Sequence, residues 1–291
     1  MRSKEYGRLV HPTKGRVMTV LVTGATGNVG RRVVDRLLAA GRRVRALTRR
    51  PETAGLPAGV EVVRGDLTDP AALDGALAGV DAAFLFPVPE TAREFAARAK
   101  AAGVRHVAVL SSAATGFAEP NPIGERHRAV ERAVEEAGLR WTHVRPGAFA
   151  ANALAWAPSI RADGVVREPH GSTGQAPIHE DDIAAVAATA LLEPGHAGQV
   201  YTLSGPEVIT IADQVRAIGA VIGRDVRFEE ISPETAREQW IAHGVPAAVA
   251  DSLLHFRSRA AEAVLPTVEQ VTGRPARTFA EWARDHAADF R

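Results

Sequence analysis

The chain has 291 residues, enough to bury a full core as one large α/β domain or as one domain with a lobe. Hydrophobic residues make up 46% and charged residues 24%, the balance of a soluble globular protein, and a net charge of +1 gives no reason to expect nucleic acid or an anionic membrane as partner. With no cysteine there can be no disulfide, thiolate metal site or cysteine nucleophile, which fits a reducing, cytoplasmic setting, and no apolar run is long enough to span a bilayer.

Residues 1–16 are polar and basic and lack the apolar stretch of a signal peptide; they read as an extended or disordered arm. The organising stretch follows. A short Val-rich run from Val17 predicts a strand, Gly24, Gly27 and Gly30 predict a turn, and Val33, Val34, Leu37 and Leu38 predict one apolar face of a helix. Each glycine has a reading of its own. Gly24 takes backbone angles closed to other residues, Gly27 lets the backbone approach a phosphate, and Gly30 lets the helix pack on the strand. Thr26, Asn28 and Val29 share this turn, whose free amides at a helix start suit a pyrophosphate. The alternative is an ordinary strand-to-helix turn with no ligand.

Residues 42–48 predict a second strand, followed by Arg49 and Arg50. Dinucleotide-binding chains place an acidic residue there for the ribose hydroxyls. Two arginines suit a 2′-phosphate, through charge-assisted hydrogen bonds, and so favour NADP(H) over NAD(H); a solvated basic loop is the other reading. Residues 60–64 predict a third strand, with Asp66 and Leu67 after it on the adenine side. Asp69 caps a helix over 70–77 that has Pro70 at its first position. A fourth strand over 80–86 breaks at Phe86, Pro87 and Val88, where the nicotinamide side of a cofactor belongs. A helix over 90–102 leads to a fifth strand over 104–110, ending in Ser111 and Ser112. A loop over 116–124, a helix over 125–137 and a sixth strand over 139–145, leaving through Pro146, complete the alternation. The architecture expected is a Rossmann doubly wound parallel sheet over residues 17–150.

Residues 151–291 are expected to form a small, mostly helical C-terminal substrate lobe, with a late strand over 199–203 and the helix before it returning to the Rossmann domain. The 150–178 stretch reads as an excursion shaping a pocket. Later helices are expected over 210–222, 233–243, 246–259 and 278–290. Substrate candidates are Val88, Phe149, Asn152, Trp156 and His179; for His179 a capping role at the next helix is the alternative. Ten histidines without a ligand-spaced pair suggest no metal.

Taken together, Thr23-Gly-Ala-Thr-Gly-Asn-Val-Gly30, Val44-Arg-Ala-Leu-Thr-Arg49, Gly65-Asp-Leu67, Leu110-Ser-Ser112, Gly138-Leu-Arg-Trp-Thr-His-Val-Arg-Pro146 and Asp181-Asp-Ile-Ala184 resemble the NmrA-like branch of the atypical short-chain dehydrogenase/reductases. The resemblance runs from Val17 through nearly all the rest of the chain. It implies a Rossmann domain binding NADP(H) and a lobe closing a substrate cleft. Within that family some members reduce quinones, azo dyes, imines or ketones, and others bind NADP(H) as regulators without turnover.

One departure matters. Short-chain dehydrogenases use a Tyr-x-x-x-Lys pair on the helix after the fifth strand. Here Ile123 stands at the Tyr position and His127 at the Lys position, and the usual serine falls on Ser112 or Ala113. His127 and Ser112 are the catalytic candidates, with water and the substrate itself as other proton sources, and His127 also reads as a contact to the nicotinamide ribose. The expected function is an NADPH-dependent reductase of a small apolar carbonyl, quinone or imine-type substrate, acting as a monomer or homodimer. The alternatives are a non-catalytic NADP(H)-sensing regulator and an epimerase or dehydratase using the nucleotide without net redox change.

Overall fold

A computed structural model describes residues 17–119, 121–259 and 263–291; the arm expected over residues 1–16 lies outside them. The first half runs β1 (Thr19–Thr23), α1 (Asn28–Ala39), β2 (Arg43–Thr48), β3 (Val60–Arg64), α2 (Pro70–Leu77), β4 (Ala82–Leu85), α3 (Pro89–Ala101), β5 (His106–Leu110), α4 (Pro122–Glu136) and β6 (Arg140–Pro146). The second runs α5 (Ala157–Ala162), β7 (Val165–Glu168), β8 (Gly174–Gln175), α6 (Glu180–Leu192), β9 (Gln199–Leu203), β10 (Ile209–Thr210), α7 (Ile211–Ile222), β11 (Arg227–Glu230), α8 (Pro233–Ala242), α9 (Ala247–Ser258), α10 (Thr267–Thr272) and α11 (Phe279–Asp285).

The main sheet has the order β3-β2-β1-β4-β5-β6-β9, and every pairing is parallel. Its central strands β1, β4 and β5 are buried along their whole length because helices cover both faces of the sheet there. Along β1 the side chains alternate: Val20 and Val22 meet Val33, Val34 and Leu37 of α1 and Ile183 and Ala187 of α6. Leu21 faces the other way, among Leu73 and Leu77 of α2, Phe95 of α3 and Val130 and Val134 of α4. The strand order reverses between β1 and β4, and open α/β sheets bind ligands in the crevice at such a switch point. After residue 150 the chain returns to this sheet, α6 packing on α1 and β9 pairing with β6. The lobe has a core of its own, in which Trp156, Ile160, Val215, Ile218, Phe279, Trp282 and Phe290 are buried together.

Several local expectations change. The loop expected over 116–124 already contains the start of α4. Asn121 caps that helix by accepting from Gly124 N at 2.6 Å, and Pro122 takes its first position. Gly124 is a close-packing residue rather than a loop residue, since a Cβ there would lie 2.4 Å from the Ala114 carbonyl oxygen. The helix expected over 278–290 divides into α11 and a 3-10 turn over Ala287–Phe290. The 150–178 excursion is a 3-10 turn over Ala150–Trp156, then α5, β7 and β8.

A buried polar chain crosses the sheet. Thr142 Oγ1 donates to the His196 carbonyl at 2.6 Å, so it accepts from His106 Nε2 at 2.9 Å. Burial, with the nearby positive charge of Arg140 and the His196 ring, pushes the His106 imidazole down to about 4. An unfolded histidine takes up its proton near pH 6.5, so between those values the unfolded chain binds more protons and stability falls as pH drops from about 6.5 to about 4. Urea unfolding midpoints measured across this window should decline, and the decline should be shallower in His106→Gln; an identical slope in the variant would remove His106 as its cause.

Candidate active site

The three glycines of the turn are required for three different reasons. Gly24 has φ +64°, and a Cβ on it would lie 2.9 Å from Phe86 Cβ at the end of β4. Gly30 lies against the turn itself: its Cβ would stand 2.1 Å from the Gly24 carbonyl oxygen. Gly27 is different, because a Cβ there meets only Gly24 O, at 3.4 Å. The protein does not need that space, but a phosphate approaching the backbone would. Gly27 is the N-cap of α1, with no side-chain cap and no acidic residue in the first turn among the described residues. Thr26, Gly27 and Asn28 are exposed, while Val29 and Gly30 are buried. A helix start of this kind offers amide donors and a positive dipole end to an anion. Thr23 ties the two switch-point strands together. Its Oγ1 donates to Phe84 O at 3.2 Å and accepts from Phe86 N at 2.8 Å. The residues present therefore fit a dinucleotide diphosphate.

Arg49 and Arg50, expected on the adenosine side, are exposed at the end of β2, with Arg49 Nε 3.7 Å from Asp66 Oδ2. Hydrogen bonds from the Thr68 amide and hydroxyl, each 2.9 Å to Asp66 Oδ1, hold the Asp66 carboxyl below its usual range. Leu67 is half-buried beside it.

On the other side of the switch point, Phe86, Pro87 and Val88 leave β4, and Phe86 is 44% exposed. Ser111, expected at the cofactor, turns inward. It is buried, and its hydroxyl donates to Glu131 Oε1 at 2.6 Å. Arg145 meets the same carboxylate through Nε at 2.8 Å and Nη2 at 2.7 Å. Burial opposes the charge on Glu131, but the hydrogen bonds from Arg145 and Ser111 more than offset it, and its pKa is lowered. This network locks the ends of β5 and β6 to α4. Sequence reasoning missed Glu131 and Arg145; the available signal was Glu131 one helical turn after His127. Ser112 is half-buried, its Oγ accepting from Ala114 N at 3.2 Å. His127, half-buried on α4, donates from Nδ1 to Ile123 O at 2.8 Å, so the neutral ring presents Nε2 as an acceptor. Pro146 is buried at the end of β6.

The lobe candidates separate. Phe149 is half-buried between two cores and Asn152 is exposed. Trp156 lies inside the lobe, its indole donating to buried Glu168 at 2.7 Å, while Arg257 of α9 stands 2.5 Å from the same carboxylate. His179 is 1% exposed and caps α6, accepting from Asp181 N at 3.1 Å. Neither ring forms an open pocket wall. The lobe meets the loop after β5 through α9, where Phe256 and Phe117 lie with ring centroids 5.5 Å apart and Arg259 lies over Phe117 at 5.1 Å. Beside them a groove of about 460 Å³ is lined by Asn121, Pro122, Ser252, His255 and Phe256. Sequence reasoning also missed this aromatic contact. No cluster of three or more potential metal ligands occurs among the described residues, and no helix there is long and apolar enough to cross a membrane.

Gly27→Ala and Gly30→Ala separate binding from folding. Gly30→Ala forces a backbone contact that cannot relax and should cost about 1–3 kcal/mol or more of stability in thermal unfolding. Gly27→Ala should melt close to wild type yet bind NADPH more weakly in fluorescence titration. Equal melting losses in the two variants would contradict the division.

Comparison with known proteins agrees with this geometry. Residues 24–194 match the NAD(P)H-binding family. A Streptomyces griseus (4-alkanoyl-5-oxo-2,5-dihydrofuran-3-yl)methyl phosphate reductase is 46% identical over 93% of this chain and 99% of its own. An NAD(P)H azoreductase of Xenophilus azovorans is 39% identical over 93% of this chain and 99% of its own. The crystal structure of an NADPH-dependent quinone oxidoreductase from Escherichia coli complexed with NADPH superposes with a TM-score of 0.78 at 27% identity, covering 91% of this chain and 99% of that one. The chain is an NAD(P)H-dependent oxidoreductase that belongs to the NmrA-like branch of the atypical short-chain dehydrogenase/reductases.

Proposed function

We propose that the protein is an NADPH-dependent reductase of a small, planar, apolar carbonyl, quinone or imine-type substrate, working without a tyrosine acid. The observation that carries this reading is the glycine turn and uncapped start of α1, which fit a diphosphate, in a chain whose α4 has Ile123 where the tyrosine of the wider superfamily stands. Tyr201 is on β9, bonded to His196 at 2.7 Å, and Tyr6 lies outside the described residues.

Bound NADPH supplies the hydride. The amides at the start of α1 would hold the diphosphate, and Arg49 and Arg50 the 2′-phosphate, with Asp66 and Leu67 as the residues for the adenine and Phe86, Pro87, Val88 and Pro146 as those for the nicotinamide end. His127 Nε2, an acceptor in the neutral ring, would take a hydrogen bond from a ribose hydroxyl, a role that suits this residue better than proton donation does. Positioning of this kind supplies much of the rate in a two-reactant step. Conjugated acceptors suit such a site, because they delocalise the charge that hydride addition leaves and need no strong acid beside them. The relatives named for a quinone, an azo compound and a dihydrofuranone phosphate support that choice. Phe149, Asn152 and the Phe117–Phe256 edge are the proposed substrate-facing groups, and water, directly or through the Ser112 hydroxyl, which it reprotonates, would supply the proton that neutralises the anion left by hydride addition.

The test is nicotinamide absorbance with NADPH and a panel of quinones, azo dyes, ketones and imines. Quinones or azo dyes should give substrate-dependent oxidation. His127→Ala should raise KM for NADPH about tenfold, the loss of one hydrogen bond of about 1.4 kcal/mol, with a smaller change in kcat. A silent panel, with NADPH shown by calorimetry to bind, would favour the sensing or non-redox readings instead.

A further inference from the structure

The loop that carries Arg49 and Arg50 has little structure of its own, one 3-10 turn over Pro51–Thr53. Two other arginines grip its backbone. Arg31, immediately after Gly30 on α1, donates from Nη1 to Gly55 O at 2.6 Å and from Nη2 to Ala54 O at 3.0 Å. Arg64, at the end of β3, donates to Arg49 O at 3.2 Å and pairs with Glu52. The loop is shaped to receive the first grip: Gly55 has φ +55° and the Ala54 methyl is buried.

These contacts have a geometric consequence. Arg31 sits in the first turn of α1, its amide bonded to Gly27 O at 3.0 Å, and that turn is held against Gly24 by the close approach of Gly30. The helix start is therefore a fixed reference. A forked guanidinium from it to two successive carbonyls sets the distance between the diphosphate site and the two exposed arginines. Without it, the loop would be held only from the β3 side, by Arg64, and more of the ordering of its two long side chains would fall on ligand binding, at the expense of affinity.

We propose that Arg31 is a positioning residue for cofactor selectivity: by clasping the Ala54 and Gly55 carbonyls it holds Arg49 and Arg50 where a 2′-phosphate meets them. The inference rests on the assignment of those two arginines made above. Arg31 acts here through the loop, not by touching the phosphate.

The experiment is fluorescence titration of the full-length protein with NADPH and with NADH, with a melting curve for each variant. Wild type, Arg31→Ala, Arg31→Lys, the Arg49→Ala/Arg50→Ala double variant and the triple variant are compared. Arg31→Ala should weaken NADPH about tenfold, as expected for loss of a charge-assisted contact, and leave NADH nearly unchanged. Arg31→Lys keeps the charge but not the fork and should lie near the alanine variant. The triple variant should bind NADPH no worse than the double, because the residues Arg31 positions are already gone. Equal weakening of NADPH and NADH, full retention by lysine, or additivity in the triple variant would each overturn the inference. If the double variant keeps its NADPH preference, the assignment of Arg49 and Arg50 fails and the inference fails with it. If the double variant loses that preference while Arg31→Ala keeps it, the inference alone fails.

Discussion

The close approach of Gly30 to the Gly24 carbonyl oxygen governs this molecule. A Cβ at Gly30 would lie 2.1 Å from that oxygen, so no other residue allows α1 to sit directly on the turn that begins it. Once α1 is there, its first amides face the carboxyl end of the sheet, Phe86 covers Gly24, and Thr23 bridges β1 and β4 across the reversal of strand order. The other side of α1 is held by charge. Arg36 meets Asp181 at 2.9 Å and Arg32 stands 3.5 Å from Glu180, both acids lying in the first turn of α6. Arg277 reaches the same turn from the C-terminal segment, 2.5 Å from both Asp181 and Asp182. The helix proposed to hold the diphosphate is thereby fixed from the sheet, from α6 and from the C-terminal segment.

Buried carboxylates recur at these junctions, and each is surrounded by donors. Burial opposes the charge of Glu180, yet His286, at 2.7 Å, and His179 bring its pKa down to about 2. The Trp282 indole supplies a further hydrogen bond at 3.0 Å. Glu131 joins β5 and β6 to α4 in the same manner, and Glu168 joins Arg257 of α9 to Trp156 within the lobe. Such groups are weak evidence for net stability, because desolvation cancels much of their attraction. Their contribution is geometric: a bidentate Arg–carboxylate contact has one arrangement, whereas an apolar contact has many.

The parallel sheet was legible because its central strands are Val-rich and separated by helices with clear periodicity, and the glycine turn was legible because a Val-rich strand leads into it and an amphipathic helix leaves it. What the residues concealed had physical reasons. The start of α4 was hidden by Gly124, which resembles a loop residue but is present because Ala114 O lies where its Cβ would be. The strands β7, β8, β10 and β11 have two to four residues each, too few for a period to show. Ser111 and Ser112 are neighbours of one type, and only the fold decides that Ser111 faces Glu131, 20 positions away. Trp156 and His179 looked like pocket walls, but their polar atoms are engaged by Glu168 and by the first turn of α6. The contacts that position the site join residues far apart in sequence, and periodicity carries no record of them.

The account makes the α1 turn and the β2 loop two ends of one cofactor site, set a fixed distance apart. A crystal structure of the protein with NADPH tests this most directly. The account predicts the diphosphate hydrogen-bonded to the amides at the start of α1 over Gly27, the 2′-phosphate against Arg49 or Arg50, and His127 Nε2 accepting from the nicotinamide ribose. A complex with the diphosphate away from that helix start, or with the 2′-phosphate in solvent beyond both arginines, would contradict it.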